Sequence, residues 1–170
     1  MKHNNKGYSL VEMIAVLAIL ATMLGSAISL IGYMSGSKAK SAAYTIQSAI
    51  NKARTEAMSK STGSEGSVPG VRDVYLKIEQ DSSNDFYVVL QSKTTEFREY
   101  LGNNRLEIQG GGNSIDKDHP LYIDFKRDTG SLYTHPATFD GITEITVKQG
   151  NVTYRVSFVR VTGKVSLSRG

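Results

Sequence analysis

The stretch KGYSLVEMIAVLAIL, residues 6–20, decides how the rest of the sequence is interpreted. A single carboxylate, Glu12, stands at the start of an apolar run, and no Lys, Arg, Asp, Glu or His occurs from residue 13 to residue 37. Residues 13–34 are 22 mostly apolar positions, enough for a helix to cross a hydrocarbon core of about 30 Å. Lys2, His3 and Lys6 precede the run, so the positive-inside rule leaves the N-terminus in the cytoplasm. The sequence therefore predicts a single-pass membrane segment that begins, at some cost, with an acid.

An ordinary secretory signal peptide is the alternative interpretation of this run. Its apolar part would be about 7–15 residues long and would be followed by a small-residue cleavage site. Here the run is longer and continues as SKAKSAAYTIQSAINKARTEAMSK, residues 37–60. No proline occurs before Pro69, so we predict one helix from about Tyr8 to about Lys60. Its second half is amphipathic, because apolar residues recur there at three- and four-residue steps, namely Ala39, Ala42, Ala43, Ile46, Ala49, Ile50, Ala53 and Ala57.

The remainder of the chain has the pattern of a β-sheet domain. The Gly/Ser-rich stretch STGSEGSVPG, residues 61–70, ends the helix. Strong turn signals follow at DSSND (81–85), Gly150–Asn151 and Thr162–Gly163. We predict an α+β fold in which an antiparallel β-sheet packs on the second half of the long helix. Alternating patterns predict strands over 74–80, 86–92, 121–127, 142–149, 151–161 and 164–168. FREYLG (97–102) and LEIQ (106–109) predict a weaker pair of strands, or a short turn and a strand.

The composition excludes several classes of function. The chain has 170 residues, a net charge of +4 and no cysteine, so it has no disulfide framework, thiolate metal site or cysteine nucleophile. A charge this small is not by itself the mark of a nucleic-acid-binding protein. One folded domain with a helical anchor is the expected organisation.

The opening stretch resembles the N-terminal signal and helix of type IV pilins and pseudopilins. In that family a short basic leader ends in Gly, a membrane peptidase cuts after it, and the new N-terminal aromatic residue is N-methylated. The resemblance implies cleavage after Gly7, methylation of Tyr8, and an assembly contact at Glu12, the fifth residue of the mature chain. Tyr replaces the commoner Phe, and the family's helix-kinking proline is missing, with Gly25 and Gly32 as points of local weakness instead.

This resemblance also implies how the chain is divided into segments and which partners it has. It implies a leader at 1–7, a transmembrane and assembly helix at 8–36, an amphipathic helix at 37–60 and a β-rich domain at 61–170. The implied partners are other pilin subunits, the prepilin peptidase and methylase, and the inner-membrane assembly platform. The implied location is the cell membrane and then a pilus or pseudopilus.

The resemblance also explains the acid at Glu12. An ionised carboxylate in hydrocarbon costs about 2.5–3.5 kcal/mol on insertion scales. Cleavage after Gly7 creates an α-amine on Tyr8, and in a bundle of staggered subunits Glu12 of one chain would pair with the amine of its neighbour. The alternative is an acid that lies at the bilayer surface with no partner.

A finer resemblance links the chain to the minor pseudopilin H and FimT-like subfamily. Three segments carry it: ARTEA at the end of the predicted helix (53–57), IDFKRDTG (123–130), and the last hairpin YRVSFVRVTGKVSL (154–167). The resemblance favours a minor subunit of a type II secretion or competence pseudopilus, or of a type IV pilus. A major pilin, or a minor pilin of another class, is the alternative.

Other polar groups are weaker candidates for a site. His3, His119 and His135 lack metal-ligand spacing. The glycine-rich segment 110–120 lacks the Lys-Ser/Thr end of a phosphate loop, and a flexible surface loop is expected there. Asp81, Asn84 and Asp85 are typical of a polar hairpin turn more than of a cation site. We predict no catalytic site, no metal and no cofactor.

Binding to DNA is the alternative function that the sequence leaves open. Aromatic and basic residues together bind single strands by stacking and by phosphate contact, although tyrosine is also common in ordinary strands. The prediction is therefore a structural, non-enzymatic filament subunit, with a DNA-contacting tip subunit and a membrane-anchored enzyme as the rivals. The candidates for DNA contact are Tyr44, Lys52 and Arg54 on the exposed side of the helix, and Tyr87, Tyr133, Lys148, Tyr154, Arg155 and Arg160 in the strands.

Overall fold

A computed structural model describes residues 10–62, 71–92, 95–134 and 142–170, with only the backbone described at 25–35 and 134. Within these residues, one helix, α1 (Leu10–Lys60), precedes ten strands. The chain divides into two compact units, residues Met1–Met34 and Ser35–Gly170. The predicted helix and the α+β class are confirmed over the described residues.

The strands form two antiparallel sheets. The first sheet has the order β3 (Thr95–Gly102), β2 (Phe86–Ser92), β1 (Val74–Gln80), β6 (Leu121–Phe125) and β7 (Leu132–Thr134). The second has the order β10 (Lys164–Arg169), β9 (Val152–Val159), β8 (Glu144–Gln149), β4 (Glu107–Gly110) and β5 (Asn113–Ser114). The predicted hairpin of β1 and β2 is confirmed, with Leu76 opposite Leu90.

The expectation of a single sheet is wrong. The strands at FREYLG and LEIQ do not pair with each other: β3 pairs with β2 in the first sheet, and β4 pairs with β8 in the second. The turn between them, in which the Leu106 N–H donates to the Asn103 carbonyl, carries the chain from one sheet to the other. Alternation in a sequence identifies the two faces of a strand, but the partner depends on long-range packing, which the pattern does not encode.

The second half of α1 supplies the middle of the core. Its predicted apolar stripe, from Ala39 to Ala57, is buried in one cluster with residues of both sheets, including Leu76, Phe125 and Val156. Small residues on this stripe allow a helix to approach a sheet closely, and Ala49 belongs to the same core cluster as Val88 and Leu90 of the first sheet. The predicted packing of helix on sheet is confirmed, and it involves two sheets.

The end of α1 is fixed to the start of β1 by Asp73. The Asp73 carboxylate accepts hydrogen bonds from the Ser61 hydroxyl (2.5 Å), the Thr62 N–H (2.8 Å) and the Thr62 hydroxyl (2.7 Å). The Ser61 N–H donates to the Ala57 carbonyl in the last turn. These bonds satisfy polar groups where the helix stops, and they orient the chain that leaves it.

Candidate functional site: the N-terminal segment of the helix

Glu12 lies in the first turn of α1, and its side chain is exposed. The N-terminus of a helix carries a partial positive charge, so an acid in the first turn is electrostatically favourable there. The sequence places it five residues after Gly7, but Gly7 and Tyr8 lie outside the described residues. Cleavage after Gly7, methylation of Tyr8 and the assembly contact of Glu12 therefore stay predictions.

Apolar side chains surround the helix that follows Glu12. Residues 10–24 are all exposed, and Leu10 has an exposed fraction of 76%. Successive residues of a helix point about 100° apart, so these side chains cover every side of it. A helix that is apolar all round is stable when lipid or other apolar helices surround it. The exposed large apolar residues are Leu10, Val11, Met13, Ile14, Val16, Leu17, Ile19, Leu20, Met23 and Leu24.

Within the residues that the structure describes, no helix has the combined length and hydropathy of a membrane span. The transmembrane assignment of residues 8–36 stays a prediction.

A second polar centre lies at the end of the helix, around Arg54. The Arg54 Nε donates a hydrogen bond to the Gly130 carbonyl at 3.1 Å, and the side chain is half-buried. Its prediction as a residue on the exposed side of the helix is wrong. A helical pattern with neighbouring Lys52 and Glu56 does not reveal that the turns of two distant hairpins pack against this position.

Glycine is favoured at those turns by the backbone conformation and by close approach to neighbouring atoms. Gly130 and Gly163 have φ angles of 63° and 64°, in the left-handed region. A Cβ atom on Gly163 would lie 2.2 Å from the Gly130 carbonyl oxygen and 2.9 Å from Arg54 Nε. The Arg54 centre (Arg54, Gly130 and Gly163) thus joins ARTEA, IDFKRDTG and the last hairpin, the three segments that carry the finer resemblance. The sequence shows these three segments, but it does not show that they contact one another.

The structure does not bring the candidate DNA-binding residues to one surface. Tyr154 is half-buried against the hydrophobic core. Lys148 forms an ion pair with Glu107 at 3.1 Å on the second sheet. On the helix, the Lys52 ammonium lies 4.0 Å from the centre of the Phe97 ring, which sequence reasoning did not connect with it.

Tyrosines instead pair with one another across the first sheet. Tyr87 and Tyr100 lie opposite each other with ring centres 5.6 Å apart, and the Arg98 guanidinium lies 3.9 Å from the centre of the Tyr87 ring. Loss of hydration, followed by the nearby carboxylate of Asp85, raises the pKa of the Tyr100 phenol. Such cross-strand pairs stabilise a sheet, so Tyr87 has a structural explanation without DNA.

The turn at Asp81 is the polar hairpin that the sequence predicts. Its carboxylate oxygen Oδ1 accepts hydrogen bonds from the backbone N–H groups of Ser83 (2.9 Å) and Asp85 (3.0 Å), and Asn84 adopts a φ of 61°. A carboxylate used in this way organises its own turn. Across the described part of the chain, no group of three or more His, Cys, Asp or Glu residues is arranged to hold a metal ion.

The glycine-rich segment 110–120 is more structured than expected. It contains β5, which pairs with β4, and Ile115 is buried. The Asp116 carboxylate accepts hydrogen bonds from the N–H groups of Asp118 (2.9 Å) and His119 (2.8 Å) and lies 3.0 Å from His119 Nδ1. Loss of hydration acts to raise the pKa of the Asp116 carboxyl, but these hydrogen bonds outweigh it and the pKa lies below its ordinary value. His135 lies outside the described residues, as does His3.

Residues 2–28 match the family model described as the prokaryotic N-terminal methylation motif. The match covers the basic leader, Glu12 and the apolar part of α1. Comparison with curated proteins and with solved structures found no significant match. Residues 2–28 therefore carry a prokaryotic N-terminal methylation motif, which supports the resemblance to type IV pilins and pseudopilins.

Proposed function

We propose that this chain is a non-enzymatic, membrane-inserted filament subunit that is cleaved after Gly7, methylated at Tyr8 and assembled into a type IV pilus or a secretion or competence pseudopilus. The observation that carries the proposal is the methylation motif over residues 2–28, which includes a helical segment, residues 10–24, with exposed apolar side chains on all sides. Such a helix needs a membrane before assembly and other apolar helices afterwards. The partners are the prepilin peptidase and methylase, an inner-membrane assembly platform and neighbouring subunits.

The exposed apolar side chains of residues 10–24 account for both states of such a subunit. In the bilayer, the segment that begins near Tyr8 spans the hydrocarbon with the leader in the cytoplasm and the β-domain outside. In a filament, the same side chains pack against the corresponding helices of neighbouring subunits. Because one apolar surface serves lipid and protein alike, transfer between them requires little change in burial.

Glu12 fixes the stagger between neighbouring helices when a subunit moves from the membrane into the filament. A lone carboxylate within an apolar helix bundle is unfavourable unless an opposite charge faces it. The Tyr8 amine created by cleavage is such a charge, and only one stagger of neighbouring helices brings the two together. Uncleaved subunits lack the amine, so processing and assembly are coupled.

Mass spectrometry of the mature protein tests the proposal directly. The first residue should be N-methylated Tyr8, and the whole apolar segment should be retained. Gly7→Leu should leave the leader attached, because a branched side chain obstructs the approach of the peptidase to that peptide bond. Asn5→Leu, two residues earlier, is the matched control and should still be cut. A mature start near residue 30 would instead identify a secretory signal peptide.

The minor-subunit role is the finer part of the proposal. Its support is that ARTEA, IDFKRDTG and the last hairpin meet at the Arg54 centre, which explains why these segments occur together in one chain. Copy number in sheared filaments tests it: a minor subunit should be present at a small fraction of the main component. The same preparation, probed for bound DNA and for hydrolase activity, tests the tip-subunit and enzyme alternatives.

A further inference from the structure

One face of the first sheet is rich in tyrosine, and we call it the tyrosine face. Side chains along a strand alternate between the two faces of a sheet. Leu76 and Ile78 of β1 are buried in the core, so Tyr75 points to the opposite face. Cross-strand pairing extends this opposite face over all five strands. It carries five of the nine tyrosines of the chain, namely Tyr75, Tyr87, Tyr100, Tyr122 and Tyr133.

The tyrosines support one another and leave two rings exposed. Tyr75 is only 7% exposed and contacts Tyr122 edge to face, with ring centres 5.8 Å apart. Tyr100, which contacts Tyr87 in the same way, is 54% exposed, and Tyr133 is 41% exposed. These two exposed rings lie on β3 and β7, the first and last strands of the sheet, four strand spacings or about 20 Å apart. A ligand that reaches both rings must therefore be long and extended.

Charged side chains lie between these rings and neutralise one another. The Glu79 carboxylate forms ion pairs with Lys77 and, at 3.5 Å, with Arg98. Asp124 is buried on the same face, and its carboxylate accepts a hydrogen bond from the Arg72 N–H at 3.1 Å. Three cations therefore balance three carboxylates among the described residues of the tyrosine face: Arg72, Lys77 and Arg98 against Glu79, Glu96 and Asp124.

We propose that the tyrosine face binds an uncharged, linear glycan of β-1,4-linked sugars. A sugar ring presents a row of C–H bonds, whose partial positive charge is attracted to the negative face of an aromatic ring. Its hydroxyl groups can hydrogen-bond to the charged side chains between the tyrosines, and hydrogen bonds to ionised groups are stronger than those between neutral groups. A β-1,4-linked chain is extended and ribbon-like, so it can reach the exposed rings of Tyr100 and Tyr133 together.

The balanced charge separates a glycan from a nucleic acid as the ligand. Binding of nucleic acid draws much of its strength from cations that neutralise phosphates and release counterions. The described residues of the tyrosine face supply no surplus of cations for this, because Glu79 pairs with both Lys77 and Arg98. The inference goes beyond the proposed function and does not rest on it, since it concerns only the first sheet of the folded domain.

Calorimetric titration of the detergent-solubilised full chain tests the site, with cellohexaose and chitohexaose as the probes. At least one of these hexasaccharides should bind. Tyr100→Ala and Tyr133→Ala should each weaken the binding about tenfold, as expected when a ring that stacks on an aromatic side chain loses its partner. Tyr100→Phe keeps the aromatic ring and should stay within about twofold of the wild type. Thermal denaturation checks that the variants, which change exposed residues, remain folded.

Tyr44→Ala is the matched control. Tyr44 is 52% exposed on α1, and the Lys40 ammonium lies 5.8 Å from the centre of its ring. It therefore resembles Tyr133, whose ring centre lies 5.4 Å from the Arg72 guanidinium, but it lies outside the sheet. Tyr44→Ala should bind the hexasaccharide as the wild type does. An equal loss in Tyr44→Ala would mean that the tyrosine face is not the site.

The remaining results also decide the proposal. Absence of binding to both hexasaccharides, or binding that persists in Tyr100→Ala and Tyr133→Ala, would reject the site. An increase in NaCl of about tenfold should change the glycan affinity less than about twofold, because no counterions are released. Tyrosine-dependent binding to oligothymidylate, with a steep loss in salt and no binding of glycan, would instead identify nucleic acid as the ligand. The mature N-terminus, measured separately by mass spectrometry, tests the proposed function independently of all these results.

Discussion

The two halves of α1 share one backbone conformation and differ in what surrounds their side chains. Residues 10–24 are exposed on every side although they are almost wholly apolar, whereas the second half buries a single stripe and exposes polar residues such as Lys52. On the proposed function, lipid or neighbouring subunits bury the apolar side chains of the first half, whereas the apolar stripe of the second half is buried in the core of the folded domain. A substitution should therefore affect assembly in the first half and folding stability in the second.

The largest expected effect follows the removal of Glu12, the charged residue of the first half of α1. Glu12→Ala should leave membrane insertion and cleavage intact, because the segment becomes more apolar. Deleting one member of a buried ion pair costs about 3–5 kcal/mol, which lowers subunit addition by several powers of ten. The measurement is incorporation into sheared filaments, with cleavage followed in parallel.

An acid in the second half provides the control for Glu12. Glu56 is half-buried and lies 3.7 Å from the exposed Lys60 one turn later, in a helical pair worth about 0.3–0.5 kcal/mol. Glu56→Ala should assemble almost as the wild type does. Normal incorporation of both variants would remove Glu12 from the assembly contacts, unless the protein occupies the filament tip, where no further subunit supplies a partner.

The next prediction compares how the same substitution in each half of α1 changes the free energy of unfolding. Ile50→Ala removes a fully buried side chain from the core and should lower the free energy of unfolding by about 2–5 kcal/mol. Ile19→Ala, the same change at a residue that is 59% exposed, should leave that free energy within about 0.5 kcal/mol. Denaturation of the detergent-solubilised chain measures both variants. Equal losses would mean that the first half is also part of the folded core.

The sequence predicts those elements of the fold that depend on residues close together along the chain. Hydrophobic periodicity and the absence of proline locate α1 and its buried stripe, and turn residues locate the hairpin of β1 and β2. The division into two sheets escapes prediction, because the partner of β4 depends on contacts made far along the chain. At the candidate site, a local motif predicts the role of Glu12, while the half-buried Arg54 is revealed only when two distant glycine turns are brought against it.

A smaller effect tests the contact that Arg54 makes with the turns at Gly130 and Gly163. Gly163→Ala should destabilise the protein by about 1–3 kcal/mol more than Gly112→Ala, since its Cβ would overlap the Gly130 carbonyl oxygen. Gly112 is the matched control because it also has a positive φ, 88°, and no atom within 4 Å of an added Cβ. Thermal denaturation of the two variants measures the difference. Equal destabilisation would show that only backbone conformation, and not the approach of Arg54 and Gly130, requires glycine there.

The smallest expected effect concerns a titration on the first sheet. Loss of hydration and then the carboxylate of Asp85 raise the pKa of the Tyr100 phenol above its ordinary value. Because the folded pKa lies above the unfolded one, the stabilisation of the neutral phenol is fully present below the unfolded pKa and is lost as the pH rises through the folded pKa. Asp85→Asn should lower the pKa of Tyr100, since the negative charge that opposes ionisation is gone, while the Asp85 backbone N–H still donates to Asp81. Titration of the Tyr100 ring by NMR measures the shift, and Asp118→Asn, which removes a carboxylate outside the groups that raise this pKa, should leave it unchanged. An unchanged pKa in Asp85→Asn would assign the whole shift to lost hydration, Tyr87 and Asp81.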